Sequence, residues 1–171
     1  MNIPILRTKR LILREFSSND FDAYANMYAD PEVARYISSG EPRDRVTAWR
    51  SLATMIGHWH LRGCGLWAVE DATSSKFIGR IGLIGPEGWP GLELGWALSR
   101  DVWGRGLATE GAQRAMQWAF NEFGVDQLIS MVRPGNLASI RVAKKLGMVL
   151  QEEREMHGGP MLIFGRLRGH V

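Results

Sequence analysis

The chain has 171 residues, the size of one domain, and its 45% of hydrophobic residues is enough for a sizeable core. Its net charge of +3 is too small to indicate nucleic-acid binding by itself, and its one cysteine, Cys64, excludes an intramolecular disulfide. Because there is no apolar leader and no run of about 20 apolar residues, we expect a single cytoplasmic domain over residues 1–171 without a membrane span.

The first half of the chain alternates short apolar runs with two amphipathic segments. Residues 5–15 are rich in Leu and Ile and predict a strand. Apolar residues recur at helical spacing over 21–29 and again over 44–61, which predicts two helices. The runs 66–69 and 77–84 are separated by a polar turn, so they predict an antiparallel hairpin.

The second half contains further strands and two helices. Apolar runs bounded by Gly or Pro predict strands at residues 92–98, 128–132, 147–151 and 161–166. One helix is predicted over 107–123, and a second runs from Asn136, which can cap it, to about residue 145. Strands with interleaved helices indicate an α+β or α/β fold with a mixed sheet.

Residues 103–106, here called the glycine loop, stand immediately before the predicted helix at 107. The first turn of a helix has unpaired N–H groups and a positive dipole end, so this segment predicts a phosphate or pyrophosphate site. The side chain of Arg105 is either a further phosphate ligand or a solvated charge. A Walker loop or a dinucleotide loop would need residues that are absent here. The expected contacts are the backbone N–H groups of Arg105, Gly106, Leu107, Ala108 and Thr109.

The run Trp-Gly-Arg-Gly-Leu-Ala-Thr-Glu at 103–110 resembles the acetyl-coenzyme A loop of the GNAT superfamily of N-acetyltransferases, Gln/Arg-x-x-Gly-x-Gly/Ala. Gly106 and Ala108 fill the last two defined positions, and Trp103 departs from the first. The whole run is most similar to the ribosomal-protein N-terminal acetyltransferase (RimJ/RimL-like) branch. Three further stretches resemble the same branch in the same order, at residues 6–14, 93–98 and 136–148.

The resemblance implies a central mixed, mostly antiparallel sheet with helices on both faces and one splayed pair of strands. The splayed strands would be 92–98 and 128–132, with the thioester of acetyl-coenzyme A (acetyl-CoA) between them. A backbone N–H near Ala97 or Leu98 would then polarise the thioester carbonyl, and the strand edge would pair with the pantetheine arm. The implied reaction is transfer of the acetyl group to a primary amine by direct attack in a ternary complex. The family often forms homodimers, so a homodimer is a further expectation.

Five positions follow for the chemistry of this reaction. Glu93 is the candidate base, directly or through water, with a structural ion pair as the alternative. Asn136 is expected to orient the pantetheine or the reacting groups, or else only to cap its helix. Ser139 lies one turn further and could protonate the departing thiolate, a role that water could also fill or that no group need fill. Ala143 stands where many relatives have a tyrosine acid, and Arg141 either contacts the 3′-phosphate of the coenzyme or is solvated.

The sequence identifies the acceptor of the acetyl group only as an amine, either a protein N-terminus or a small molecule. The four histidines do not show metal-ligand spacing with Asp or Cys, so no metal is expected. The main alternative is a non-catalytic regulatory module that binds coenzyme A. Trp103 and Ala143 depart from the sequence pattern of the family, and the candidate base has a structural alternative. A nucleotide or nucleic-acid binder is a weaker alternative function.

Overall fold

The computed structural model describes residues 2–37, 39–156 and 158–169. The strands in chain order are β1 (Leu6–Arg7), β2 (Leu11–Arg14), β3 (Leu66–Asp71), β4 (Phe77–Ile84), β5 (Glu93–Leu98), β6 (Gln127–Val132), β7 (Val149–Met156) and β8 (Gly159–Leu167). The helices are α1 (Phe21–Ala29), α2 (Pro31–Ala34), α3 (Arg45–Arg62), α4 (Leu107–Trp118) and α5 (Leu137–Lys145). Within the described residues, none of the helices has the length and apolar content needed to cross a membrane.

All eight strands form one sheet in the order β1-β2-β3-β4-β5-β6-β8-β7. Every neighbouring pair is antiparallel except β5 and β6, which are parallel. Apolar side chains on one face of the sheet pack against α4, while α1 and α3 cover the other face. The predicted α+β class, the mostly antiparallel mixed sheet and the helices on both faces are confirmed.

The prediction of one strand over residues 5–15 is wrong, because a turn at Thr8 divides this segment into β1 and β2. The Thr8 amide donates to the Leu11 carbonyl at 3.0 Å, and the Thr8 hydroxyl accepts from the Leu11 amide at 2.9 Å. The chain therefore reverses, and Leu6 pairs with Leu13. This local side-chain bond competes successfully with the extended conformation that the Leu and Ile residues favour.

Helix boundaries follow the capping residues. The Asp44 carboxylate accepts from the Thr47 amide at 2.7 Å at the start of α3, and Gly63 ends this helix at φ +72°. The predicted helix 107–123 divides in two: α4 ends at Trp118, and Ala119–Phe123 forms a π-helical turn. The strand predicted from residue 147 begins only at Val149, because Gly147 (φ +71°) still belongs to the end of α5.

Helix α4, which follows the glycine loop, packs very close to the sheet. Ala112 and Ala115 are fully buried on its sheet-facing side. A Cβ added at Gly111 would lie only 2.5 Å from Ile81 Cδ1 and 3.1 Å from Leu11 Cδ1. The absence of a side chain at Gly111 therefore sets how near the start of α4 lies to the strands.

We expect Gly111→Val to lower the free energy of unfolding by about 2 kcal/mol, because overpacking a close helix–sheet contact forces side chains or backbone to move. Gly57→Val is the matched control. Gly57 also lies within a helix, but a Cβ there meets nothing within 4 Å. Denaturant unfolding of both variants measures the difference, and equal stabilities would show that the close approach of α4 is not constrained.

Candidate active site

The gap between β5 and β6 is the central feature of the site. Although the two strands are neighbours, their backbone ladder within the described residues contains one pair, Glu93 with Ile129. One residue further along, the Ser130 hydroxyl donates to the Leu94 carbonyl at 2.7 Å. In a continuous ladder, a backbone amide would make this bond. The strands then separate toward their carboxyl ends. The splayed pair that the resemblance implies is thus confirmed.

The edge of β5 that faces the gap presents particular backbone groups. The register pairs Arg80 with Ala97, and the Ser99 amide donates to a β4 carbonyl at 2.8 Å. Because bonding alternates in an antiparallel ladder, the backbone groups of Ala97 face β4 and those of Leu98 face the gap. The Trp103 indole donates to the Leu98 carbonyl at 2.8 Å. Of the two residues predicted here, Leu98 therefore offers a gap-facing amide, and Ala97 does not.

The glycine loop turns sharply into the start of α4. Gly104 and Gly106 both adopt φ +76°, a region that residues with a Cβ rarely occupy, and Gly106 is the N-cap of α4. Among the hydrogen bonds found within the described residues, none uses the amides of residues 105–109 as donors. The Arg105 side chain donates to the Asp101 carbonyl at 3.1 Å and is exposed, which leaves both of its predicted roles open.

A polar clamp that the sequence analysis missed holds this loop. Glu110, in the first turn of α4, accepts from the Thr8 hydroxyl at 2.6 Å and forms an ion pair with Arg10 at 2.6 Å. Arg10 also donates to the Arg105 carbonyl at 2.9 Å. Both participating stretches were recognised as motifs, but nothing in their sequence indicates that residues about a hundred positions apart meet.

The Glu93 carboxylate lies at the closed end of the gap, on the face covered by α1 and α3. It accepts from the Trp89 indole at 2.8 Å and from the Met131 amide. Burial raises the pKa of Glu93 above the ordinary value for a glutamate, and these two donors together with the nearby Arg80 guanidinium offset only part of that increase. A carboxyl with this balance can bind a proton nearer to neutral pH than a solvated glutamate can.

Helix α5 brings Asn136 and Ser139 to the opposite side of the gap. The Asn136 side-chain oxygen accepts from the Ser139 amide at 3.1 Å, so this oxygen caps the helix and the amide nitrogen is left for other contacts. The Ser139 hydroxyl accepts from the Trp96 indole at 3.2 Å. Arg141 lies on the exposed side of α5. Glu93, Asn136 and Ser139 line one cleft of about 820 Å³.

The histidines that the structure describes do not form a metal centre. His58 is buried, and its Nε2 accepts from the Gly85 amide at 2.9 Å while its Nδ1 contacts the Cys64 carbonyl at 2.8 Å. This pattern requires the proton on Nδ1 and gives His58 a structural role. His157 and His170 lie outside the described residues. Within the described part of the chain, no group of three His, Cys, Asp or Glu residues could hold a metal ion.

Comparison with known proteins identifies the family. The sequence profile of the acetyltransferase (GNAT) domain matches residues 10–149. The chain belongs to the GNAT acetyltransferase family. It is therefore an acetyl-CoA-dependent acetyltransferase, as the resemblance implies.

Similar proteins cover almost the whole chain. The protein YkkB of Bacillus subtilis is 29% identical over an alignment of 169 residues, and the match covers 94% of this chain and 94% of YkkB. The crystal structure of an acetyltransferase from Agrobacterium tumefaciens has 32% identity and a TM-score of 0.86, covering 97% of this chain and 95% of that one. The structure of ribosomal-protein-S5-alanine acetyltransferase from Vibrio fischeri shares the fold at 16% identity, with a TM-score of 0.76 and 98% of each chain covered.

The residues of this GNAT enzyme fit acetyl-CoA at two places. The amides at the positive end of α4 suit the pyrophosphate, and the open edge of β5 suits the amide-rich pantetheine. The individual contacts predicted for residues 105–109, Leu98, Asn136 and Arg141 stay predictions.

We expect Arg10→Met to raise the Kd of coenzyme A about tenfold. The variant removes the bond to the Arg105 carbonyl and leaves the Glu110 charge unpaired beside the phosphate site. Titration calorimetry measures the Kd. Lys9→Met is the control, because Lys9 is exposed on the same turn and carries the same charge. Equal weakening by both variants would mean that the effect is general charge rather than positioning of the loop.

Proposed function

We propose that this protein acts in the cytoplasm as a one-domain N-acetyltransferase, transferring the acetyl group of acetyl-CoA to a primary amine by direct attack in a ternary complex. The acceptor is a protein N-terminus or a small-molecule amine. The observation that carries this proposal is the Glu93 carboxylate. It lies at the closed end of the β5–β6 gap, lines the same cleft as Asn136 and Ser139, and has a raised pKa. Its position argues for catalysis over the alternative of a regulatory module that only binds coenzyme A.

Glu93 would act as the general base. An amine with a pKa well above neutral is protonated when it arrives, and it must lose a proton before it can attack. A carboxylate accepts a proton more effectively as its pKa approaches the working pH. The raised pKa of Glu93 therefore suits it to take this proton, either directly or through a water molecule.

The other groups would stabilise the reacting atoms. Bound acetyl-CoA supplies an activated acetyl thioester. The Leu98 amide would donate to the carbonyl oxygen on which negative charge develops, as the strand edge places it toward the gap. Because the Ser139 hydroxyl already accepts from the Trp96 indole, its own proton is directed elsewhere and could be donated to the departing sulfur. The amide nitrogen of Asn136 would orient the pantetheine.

The single thiol argues against a covalent cysteine intermediate. Cys64 is the only cysteine in the chain, and it is buried. Burial raises its pKa to about 11, so it is a neutral thiol at physiological pH and a poor nucleophile. The state of Cys64 therefore favours direct attack by the amine over an acetyl-enzyme intermediate.

We expect Glu93→Gln to lower kcat about 100-fold, since it removes the base while keeping a similar shape. In the wild type, kcat should fall as the pH drops through the raised pKa of Glu93, because the protonated carboxyl cannot accept a proton. This acid limb should disappear in Glu93→Gln and move to higher pH in Trp89→Phe, which loses a donor that lowers the pKa. Thiol release measured across pH tests both.

Glu153→Gln is the control for these measurements, since Glu153 is exposed on β7. It should keep the wild-type profile. If Glu93→Gln retains full activity and the acid limb, Glu93 is not the base.

We expect Ser139→Ala to lower kcat about tenfold and to leave the Kd of coenzyme A unchanged. The effect is small because a thiol with a pKa near about 8.5 leaves with little assistance. With a thioester that has a more acidic leaving thiol, the loss should shrink. A loss that is the same for both thioesters would assign Ser139 to positioning instead of proton donation.

A further inference from the structure

The cleft that Glu93, Asn136 and Ser139 line also contains several guanidinium groups from separate parts of the fold. Four arginines line it, coming from the segment before α3, from α3 itself, from β4 and from the end of β6: Arg43, Arg50, Arg80 and Arg133. Three acidic residues also line it, Glu41, Asp44 and Glu93, and the Asp44 carboxylate caps α3. The arginines outnumber the carboxylates by one, so the lining of the cleft has a small positive excess.

Two of these arginines are held on the same aromatic ring. The guanidinium carbon of Arg43 lies 4.3 Å from the Tyr28 ring centroid, and that of Arg80 lies 5.8 Å from it. Arg80 also donates from Nε to the Tyr28 hydroxyl, and Arg43 donates to the Ser51 hydroxyl at 2.7 Å. Tyr28 thus helps to orient both guanidinium groups.

Gly95 opens a space between this positive group and the Glu93 carboxylate. A Cβ at Gly95 would point to the same face of the sheet, 3.7 Å from Arg80 Nη1 and 3.8 Å from Glu93 Oε1. Both atoms therefore border the volume that a side chain at this position would fill. A small molecule in that space can present an amine to Glu93 and an anionic oxygen to Arg80 at the same time.

We propose that the acceptor is a carboxylate-bearing amine, with Arg80 and Arg43 binding its carboxylate while its amine faces Glu93. An α-amino acid has both groups on one carbon, and a peptide that begins with Asp or Glu has them only slightly further apart. Guanidinium groups recognise carboxylates with two parallel hydrogen bonds, which would also orient the amine. This inference rests on the proposed function, since it names the substrate class of the same site.

Matched acceptor pairs test the proposal with acetyl-CoA and thiol release. The first arm compares free L-amino acids with their carboxamides, the second compares the tripeptides Asp-Ala-Ala and Asn-Ala-Ala, and spermidine is the polycation. We expect kcat/KM for the carboxylate member to exceed that for its neutral partner at least about tenfold in one arm, as charged hydrogen bonds allow. The arm in which this occurs separates a free amino acid from an acidic N-terminus.

Variants then locate the recognition. Arg80→Met and Arg43→Met should reduce the carboxylate-to-amide ratio toward one, whereas Arg80→Lys should retain part of it. Using the ratio corrects for any change that Arg80 causes in the pKa of Glu93. Gly95→Ala should raise the KM of the preferred acceptor without changing the Kd of coenzyme A. Arg62→Met is the control, because Arg62 lies on α3 near Glu87, away from these groups, and it should leave the ratio unchanged.

The outcomes separate the two proposals. If amides or spermidine are acetylated as efficiently as the carboxylates, the carboxylate inference is wrong while the N-acetyltransferase function stands. If the preference exists but survives both methionine variants, in proteins that bind coenzyme A normally, these arginines do not provide it and the inference fails. If no amine in the panel is acetylated although coenzyme A binds, the proposed function itself fails.

Discussion

The site depends on two neighbouring strands, β5 and β6, that share one backbone pair in the part of the chain that the structure describes. Beyond Glu93 and Ile129, β5 and β6 separate, so the edge of β5 keeps polar groups that a continuous ladder would satisfy. Two side chains close the narrow end of the gap: the Ser130 hydroxyl bonds to Leu94, and the Glu93 carboxylate accepts from the Met131 amide. A buried polar edge is costly unless it finds a partner, and an extended amide-containing ligand is a suitable one.

The two faces of the sheet divide the chemistry around this gap. On the face of α4 and α5, the glycine loop and the Ser139 hydroxyl surround the expected path of acetyl-CoA. On the face of α1 and α3, Glu93 lies near the guanidinium group of Arg80. Side chains alternate between the two faces along β5. Glu93 and Trp96 are three residues apart, so they point to opposite faces. One strand thereby supplies both the proposed base and the indole that orients Ser139.

On the sheet face covered by α1 and α3, charged groups of opposite sign lie close together. Burial raises the pKa of Glu93, and the Trp89 indole and the Arg80 guanidinium offset part of that increase. Arg80 in turn is held by the Tyr28 hydroxyl, and Tyr28 also contacts Arg43. Tyr28 therefore helps to position the guanidinium group that lies beside the proposed base.

The local pattern of the sequence was sufficient for most helices and strands, the class of the fold and the position of the glycine loop at the start of α4. Hydrophobic period, caps such as Asp44 and Asn136, and glycines with positive φ act within a few residues, so they can be recognised from the chain alone. The division of residues 5–15 was missed because one Thr8 hydroxyl decides it. Only the tertiary structure decided that Thr8 and Arg10 clamp Glu110, that the Leu98 amide and not that of Ala97 faces the gap, and that Arg43 and Arg80 share Tyr28. These contacts join residues far apart in the sequence or depend on strand register, and no short-range pattern encodes either.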